Sequence, residues 1–212
     1  MEILEKALKL LERYPLCDNC LGRQFAMLGY GLTNSERGRA IKLVLFLLGH
    51  LRLNSGDRGG LEVLRVLAGK GFFEPAQLLL EKMGEDIPPK AKECYLCRNV
   101  FWRLDALVEE AVGLLSGYEF SNLLVGVELP AEMSEREDEL RSEFGIEHGE
   151  SLKNELSREI GKRISEGLGV PVEFGRPDIV ILVRPFEGEV ELKVNPVFVA
   201  GRYRKLVRGI PQ

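Results

Sequence analysis

The chain has 212 residues and a formal net charge of −4, with 45% hydrophobic and 29% charged side chains. That length can bury a core in one large or two small domains, and the mixed composition excludes a disordered tail, a collagen-like fibre and a low-complexity spacer. No apolar run approaches the ~18 residues that cross a bilayer, and the charged side chains within residues 1–14 interrupt anything resembling a signal-peptide core, so a soluble, cytoplasmic protein with no membrane partner is predicted.

Residues 2–14 predict an amphipathic helix with Ile3, Ala7, Leu10, Leu11 and Tyr14 on one face, stopped by Pro15. Gly29-Tyr30-Gly31 is a turn signal, and Thr33 with Glu36 has capping-box spacing. The next helix, 36–52, is apolar at Ala40, Ile41, Val44, Leu45, Leu47 and Leu48, which predicts a central place in an all-α lobe. Two short helices at 61–68 and 74–83 precede Pro88-Pro89. Past residue 98 the texture changes to a helix at 99–116 carrying Leu104, Val108, Ala111 and Leu115, then a β-rich stretch at 120–129. Charged helices come after it at 133–144 and 151–168, the second with a stripe of Leu152, Leu156, Ile160 and Ile164. Strands at 178–183 and 189–194 flank a Glu187-Gly188 hairpin, with Val190, Leu192 and Val194 expected inward. The predicted class is α+β, a helical lobe at 1–98 followed by an α/β lobe at 99–212 with at least three strands.

All four cysteines fall in two Cys-x-x-Cys pairs, Cys17/Cys20 and Cys94/Cys97. Two residues between ligands let one turn aim both sulfurs at the same ion, and two such pairs complete a tetrahedral Cys₄ set, the closed arrangement of structural zinc. The 73-residue spacer means that the ion would clamp distant segments. Two disulfides or a thioredoxin-like redox pair are the competing readings; a reducing cytosol disfavours the first, and neither pair follows a strand in a βαβ setting. One structural Zn²⁺ per chain, held by Cys17, Cys20, Cys94 and Cys97, is therefore expected.

Charge is unevenly spread. Residues 21–70 hold eight bases (Arg23, Arg37, Arg39, Lys42, Arg52, Arg58, Arg65 and Lys70) against three acids, whereas 128–150 holds nine carboxylates against Arg136 and Arg141. From Lys193 to Gln212 there are five bases and no acid. Within that tail Arg202, Arg204, Lys205 and Arg208 are candidate phosphate contacts, and Tyr203 among them can stack on a base or ribose. The alternative is a solvated strand end offsetting the acid at 128–150. Lys153, Arg158 and Lys162 form a second candidate RNA-binding set on the 151–168 helix, where Glu155, Glu159 and Glu166 equally fit a plain solvated face. Arg136-Glu137-Asp138 has the short Arg-x-Asp form found around the catalytic aspartate of several pseudouridine synthases, but it lies inside a carboxylate run on a helix, where a structural role is expected. His50 and His148 stand apart from any Cys or Ser partner, and the sequence has no Gly-rich phosphate loop, nucleophile elbow or HExxH. No catalytic residue is assigned.

Four strings carry a family resemblance: residues 14–26 around the first pair (YPLCDNCLGRQFA), Cys94-Tyr95-Leu96-Cys97, Gly149-Glu150-Ser151-Leu152-Lys153, and the terminal GRYRKLVRGIPQ at 201–212. Together they resemble the archaeal and eukaryotic tRNA pseudouridine synthase that modifies uridines of the TΨC loop, along essentially the whole chain. The resemblance implies a Cys₄ zinc site followed by a THUMP domain, an RNA-binding module of several tRNA-modifying enzymes associated with the acceptor arm and 3′ end. It also implies that the catalytic domain, with its essential aspartate, follows where this sequence stops. The expected function is thus a tRNA-binding accessory region, inactive as an isomerase by itself, whose partners are tRNA and a C-terminal or separate catalytic domain. The alternative is a zinc-stabilised adaptor that docks on a separate RNA-modifying subunit.

Overall fold

The computed structural model describes residues 2–195. Helix α1 (Glu2–Arg13) buries Ala7, Leu10 and Leu11, while Ile3 in its first turn stays exposed. After Pro15, α2 (Asp18–Gly22) begins on Cys17. Helix α3 (Asn34–Asn54) opens on the expected capping box, Thr33 accepting from the Glu36 N–H and Glu36 accepting from the Thr33 N–H. Helices α2 and α3 touch backbone to backbone. A Cβ on Gly22 would lie 1.8 Å from the Asn34 carbonyl oxygen, and one on Gly38 would lie 1.9 Å from the Asp18 carbonyl oxygen. Only glycine fits either position.

That close approach decides which side of α3 faces inward, and it overturns the expected core. Ile41 and Leu45 are buried as predicted, but Ala40, Val44, Leu47 and Leu48 are exposed, and with Leu43 and Leu51 they form an apolar stripe on the outside. The buried side instead carries Asn34, Arg37, Gly38, Lys42 and Gly49. The reason is hydrogen-bond demand in the segments beneath. Lys42 donates to the Leu16 carbonyl at 2.9 Å and the Asp18 carboxylate at 2.6 Å. Arg37 donates to the carbonyls of Leu28 at 2.6 Å and Leu32 at 3.1 Å, bracing the turn before the helix. Buried charge survives only when paired in this way, so these side chains outrank the leucines for the inner face.

Helices α4 (Gly59–Gly69) and α5 (Glu74–Met83) complete the helical part, α4 burying Leu61, Val63, Leu64 and Leu67. The predicted helix over 99–116 starts later than expected. Asn99 sits in the left-handed region at φ 62°, its side chain accepting from the Cys94 N–H and donating to the Lys92 carbonyl. A 3₁₀ turn over Val100–Arg103 then leads into α6 (Leu104–Leu115). Strand β1 (Leu123–Val127), α7 (Ala131–Phe144), α8 (Leu152–Leu168), β2 (Ile179–Arg184) and β3 (Glu189–Val194) come next, in the predicted order.

The sheet order is β1-β2-β3, with β1 parallel to β2 (Leu123 opposite Ile179) and β2 antiparallel to β3 (Val183 opposite Val190). Alternate residues of β1 and β2 are buried, whereas the inward row expected of β3 fades: Val190 and Leu192 are half-buried and Val194 is exposed at the strand's end. Helix α8 lays Leu152, Leu156, Ile160 and Ile164 into the core as predicted, and Gly161 faces Val125 of β1. The buried side chains of both parts join in one hydrophobic cluster. Among the described residues no helix is long and apolar enough to cross a membrane.

The reversed α3 is open to a direct test. Leu45→Ala should lose about 2–5 kcal/mol in urea unfolding; Leu47→Gln, on the exposed stripe, should stay within about 0.5 kcal/mol of the parent. Equal losses would mean that both faces are packed.

Candidate metal centre and nucleic-acid interface

The four cysteines meet. Cys17, Cys20, Cys94 and Cys97 are all buried, and their sulfurs lie within 4.8 Å of one another. Cys17 Sγ and Cys97 Sγ are 3.6 Å apart, and none of the four is in a disulfide. Metal–sulfur bonds of about 2.3 Å would put tetrahedral sulfurs about 3.8 Å apart, so the group fits one four-coordinate ion. Backbone N–H groups point at the sulfurs: Cys17 N donates to Cys94 Sγ at 3.3 Å, and Cys20 N to Cys17 Sγ at 3.5 Å. Burial and the neighbouring sulfurs push the Cys20 thiol well above its ordinary value. Burial acts against Cys94 too, but hydrogen bonds from the other three sulfurs and the Cys17 N–H draw it well below. Four crowded thiolates need a cation among them to stay ionised together, and the donor set is the soft one that selects thiophilic metals.

The surroundings of the cluster include residues that spacing alone did not single out. Arg23, one turn beyond Cys20, is fully buried. Its Nη1 donates to Cys20 Sγ at 2.9 Å, and its Nε donates to Glu137 Oε1 on α7 at 2.8 Å. Glu155 on α8 stands 3.8 Å from the same guanidinium and accepts from Asn19 at 2.9 Å. Burial lowers the guanidinium's affinity for its proton, but Cys20, Glu137 and Glu155 together more than reverse this. Glu137 has further bonds, accepting from Arg141 at 3.2 Å and from the Leu152 N–H at the start of α8 at 3.0 Å. Within Arg136-Glu137-Asp138, then, Glu137 is tied into the interior and Asp138 is exposed. Arg136 lies over the Tyr95 ring beside the second cysteine pair, 5.5 Å from its centroid.

Of the eight bases at 21–70, Arg23, Arg37 and Lys42 are buried and bonded inside, whereas Arg39, Arg52 and Arg58 are exposed and Arg65 and Lys70 half-buried. The second RNA-binding set divides. Arg158 and Lys162, one turn apart on the outer face of α8, line the same two clefts. Lys153, at the helix start, lines a different one with Glu128, Ser134, Arg184 and Glu187. Arg158 is ion-paired with Glu150, and Lys162 lies 3.9 Å from Glu166 in an exposed pair. The tail residues Arg202, Tyr203, Arg204, Lys205 and Arg208 lie outside the described residues.

The family model "Pus10 THUMP domain, archaeal" matches residues 107–184, from within α6 to the end of β2. The chain is similar along nearly its whole length to part of the tRNA pseudouridine synthases called Pus10. It is 46% identical over 204 residues to the tRNA pseudouridine synthase Pus10 of Thermofilum pendens, covering 96% of this chain and 45% of that protein. It is 40% identical over 210 residues to the Pus10 of Pyrococcus furiosus (99% and 45%), and 40% identical over 212 residues to that of Vulcanisaeta distributa (98% and 51%). The chain thus spans about half the length of the curated relatives it matches. No solved structure matches it.

Burial raises the Glu155 carboxyl from 4.5 to about 7, against the pull of Arg23 and Asn19. A carboxyl whose folded value is raised stabilises the fold in its protonated form. Its contribution is complete below the unfolded value of 4.5 and is lost as the pH climbs through about 7. The melting temperature of Glu155→Gln should therefore gain on the parent's as pH rises from 5 to 8. Parallel curves for the two proteins would show that Glu155 titrates normally.

Proposed function

We propose that the chain is the tRNA-binding region of a pseudouridine synthase of the Pus10 kind, holding the acceptor arm and 3′ end so that a catalytic domain, C-terminal or separate, reaches uridines of the TΨC loop. The observation that carries this reading is the THUMP match at residues 107–184 together with the exposed Arg158 and Lys162 on that domain's outer helix face. A domain division at 1–98 and 99–212 fits the change from helices alone to helices with a sheet. Catalysis belongs, on this reading, to protein beyond these residues, and the location is cytoplasmic. RNA contact falls to Lys153, Arg158 and Lys162 and to the tail cations Arg202, Arg204, Lys205 and Arg208 with Tyr203.

The ion in the four-cysteine centre is zinc in this reading. Four protein thiolates leave no open position for substrate, so the ion stabilises the fold and takes no part in a reaction. Cys17 and Cys20 come from the start of α2, Cys94 and Cys97 from the turn before α6, and the ion would staple them. Metal analysis should find one zinc per chain, and a chelator should lower the melting temperature by well over 10 °C, in keeping with the large share of folding energy that structural zinc supplies. Unchanged melting after complete metal removal would refute a structural ion.

For the RNA interface, each phosphate neutralised contributes about 0.9 to the salt dependence of binding on duplex-like RNA. Arg204→Glu combined with Lys205→Glu should weaken filter binding of several tRNA species alike and flatten the log–log salt slope by about 2. An unaltered slope would remove the tail from the interface. The adaptor reading has one observation in its favour, the exposed apolar stripe of α3. A gel shift separates the two, because an adaptor shows no preference for tRNA bearing its 3′ tail over tRNA lacking it.

A further inference from the structure

Two clefts flank the basic pair of α8, and each has an exposed aromatic ring on its far side. The first, of about 480 Å³, lies between α8 and the loop before α3, with Tyr30 and Arg37 on one wall and Arg158 and Lys162 on the other. The second, of about 520 Å³, lies between α8 and β1 and shares Arg158 and Lys162 with the first, Phe174 forming its rim.

Tyr30 is fully exposed and Phe174 is 81% exposed. Neither ring sits on a loose loop. Gly29 and Gly31 hold positive φ angles of 69° and 86°, which turn the chain sharply and present Tyr30 at the tip. Buried Arg37 ties that turn down through the Leu28 and Leu32 carbonyls. On the other side Val172 bridges to Leu123, and Glu173 N donates to the Leu123 carbonyl at 2.9 Å, fixing the backbone just before Phe174 to the edge of β1. Braced backbone that leaves its aromatic side chain in water gains nothing for folding from that ring.

We propose that Tyr30, the Arg158–Lys162 pair and Phe174 form a track for unpaired RNA, in which bases stack on the two rings and the phosphates between them lie along α8. The proposal rests on the tRNA-binding reading and adds to it a stacking residue from outside the THUMP match. Alternating rings and cations are the general device for holding a single strand, because every base offers a π-face and every linkage a charge. The acids in the track do not forbid this. Glu150 already accepts from Asn34 and Arg158, Glu159 is paired with Arg163 at 3.1 Å and stands 3.8 Å from Arg158, and Glu166 meets Lys162 only through an exposed pair. Such a pair is worth little and exchanges readily for a phosphate.

Fluorescence anisotropy on the metal-loaded protein, with a blunt RNA hairpin and the same hairpin carrying a short single-stranded overhang, tests the track. The parent should prefer the overhang. Tyr30→Ala and Phe174→Ala should each weaken overhang binding roughly tenfold, in line with the stacking seen per base, and leave blunt-hairpin binding and the salt slope unchanged. Tyr30→Phe should bind as the parent does, and Lys162→Gln should lower the slope by about 1. Melting curves will confirm that the alanine variants fold, as expected for rings that stand in water. Alanine variants that keep the overhang preference, or that lose both RNAs equally, overturn the track while leaving the tRNA reading intact. Failure of the parent to bind either RNA overturns both.

Discussion

One guanidinium, buried where no water reaches it, holds this structure in register. Arg23 faces a sulfur of the four-cysteine cluster on one side and carboxyl groups from two helices of the sheet-bearing part on the other. A buried pair of this kind adds little net stability over a well-packed apolar substitute, but losing one member leaves an uncompensated charge at a cost of about 3–5 kcal/mol. Its effect is therefore on geometry: few arrangements of α2, α7 and α8 set a sulfur and two carboxyl groups around Arg23, and this one does so with Nη2 left unbonded. Weaker bonds run along the same seam, from the Tyr14 hydroxyl to Glu143, from Lys6 to the Gly145 carbonyl, and from the Glu150 N–H to the Arg23 carbonyl.

The seam connects the four thiols with the outward cations of α8. Glu137, held by Arg23, also receives the first N–H of α8, and Glu155 rises from the same helix into the same pocket. With one end fixed in this way and Leu156, Ile160 and Ile164 packed below, α8 has a set rotation, and Arg158 and Lys162 must point outward. An ion that tightens the cysteine end would act on the cations through a rigid element, with no need of direct contact.

Much of this was legible in the residue pattern. The paired Cys-x-x-Cys motifs pointed to the four-sulfur cluster because ligand spacing is a local property with a narrow chemical meaning. The Thr33–Glu36 box and the Leu152–Ile164 stripe placed their helices because both signals lie within a few turns of chain. The sequence of helices and strands after residue 98 came through as well. The hidden part depends on contacts that no periodic pattern announces, some of them across more than a hundred residues. Arg23 reads as one more surface base until Glu137, 114 positions away, is folded against it. Lys42 and Arg37 added to an apparent basic patch because their bonding partners, too, appear only once the chain is folded. The rings of Tyr30 and Phe174 gave no signal, since an exposed aromatic and a buried one look alike in a sequence.

Helix α3 shows how far such a local reading can mislead. Its inner surface is committed: Gly38 admits no larger neighbour, and Lys42 and Asn34 each hold a specific bond. The leucines on its outer surface answer to no such demand from among the described residues. The two sides of one helix are therefore free to diverge at different rates, the hidden one held by the fold and the outward one adapting to whatever environment each descendant meets.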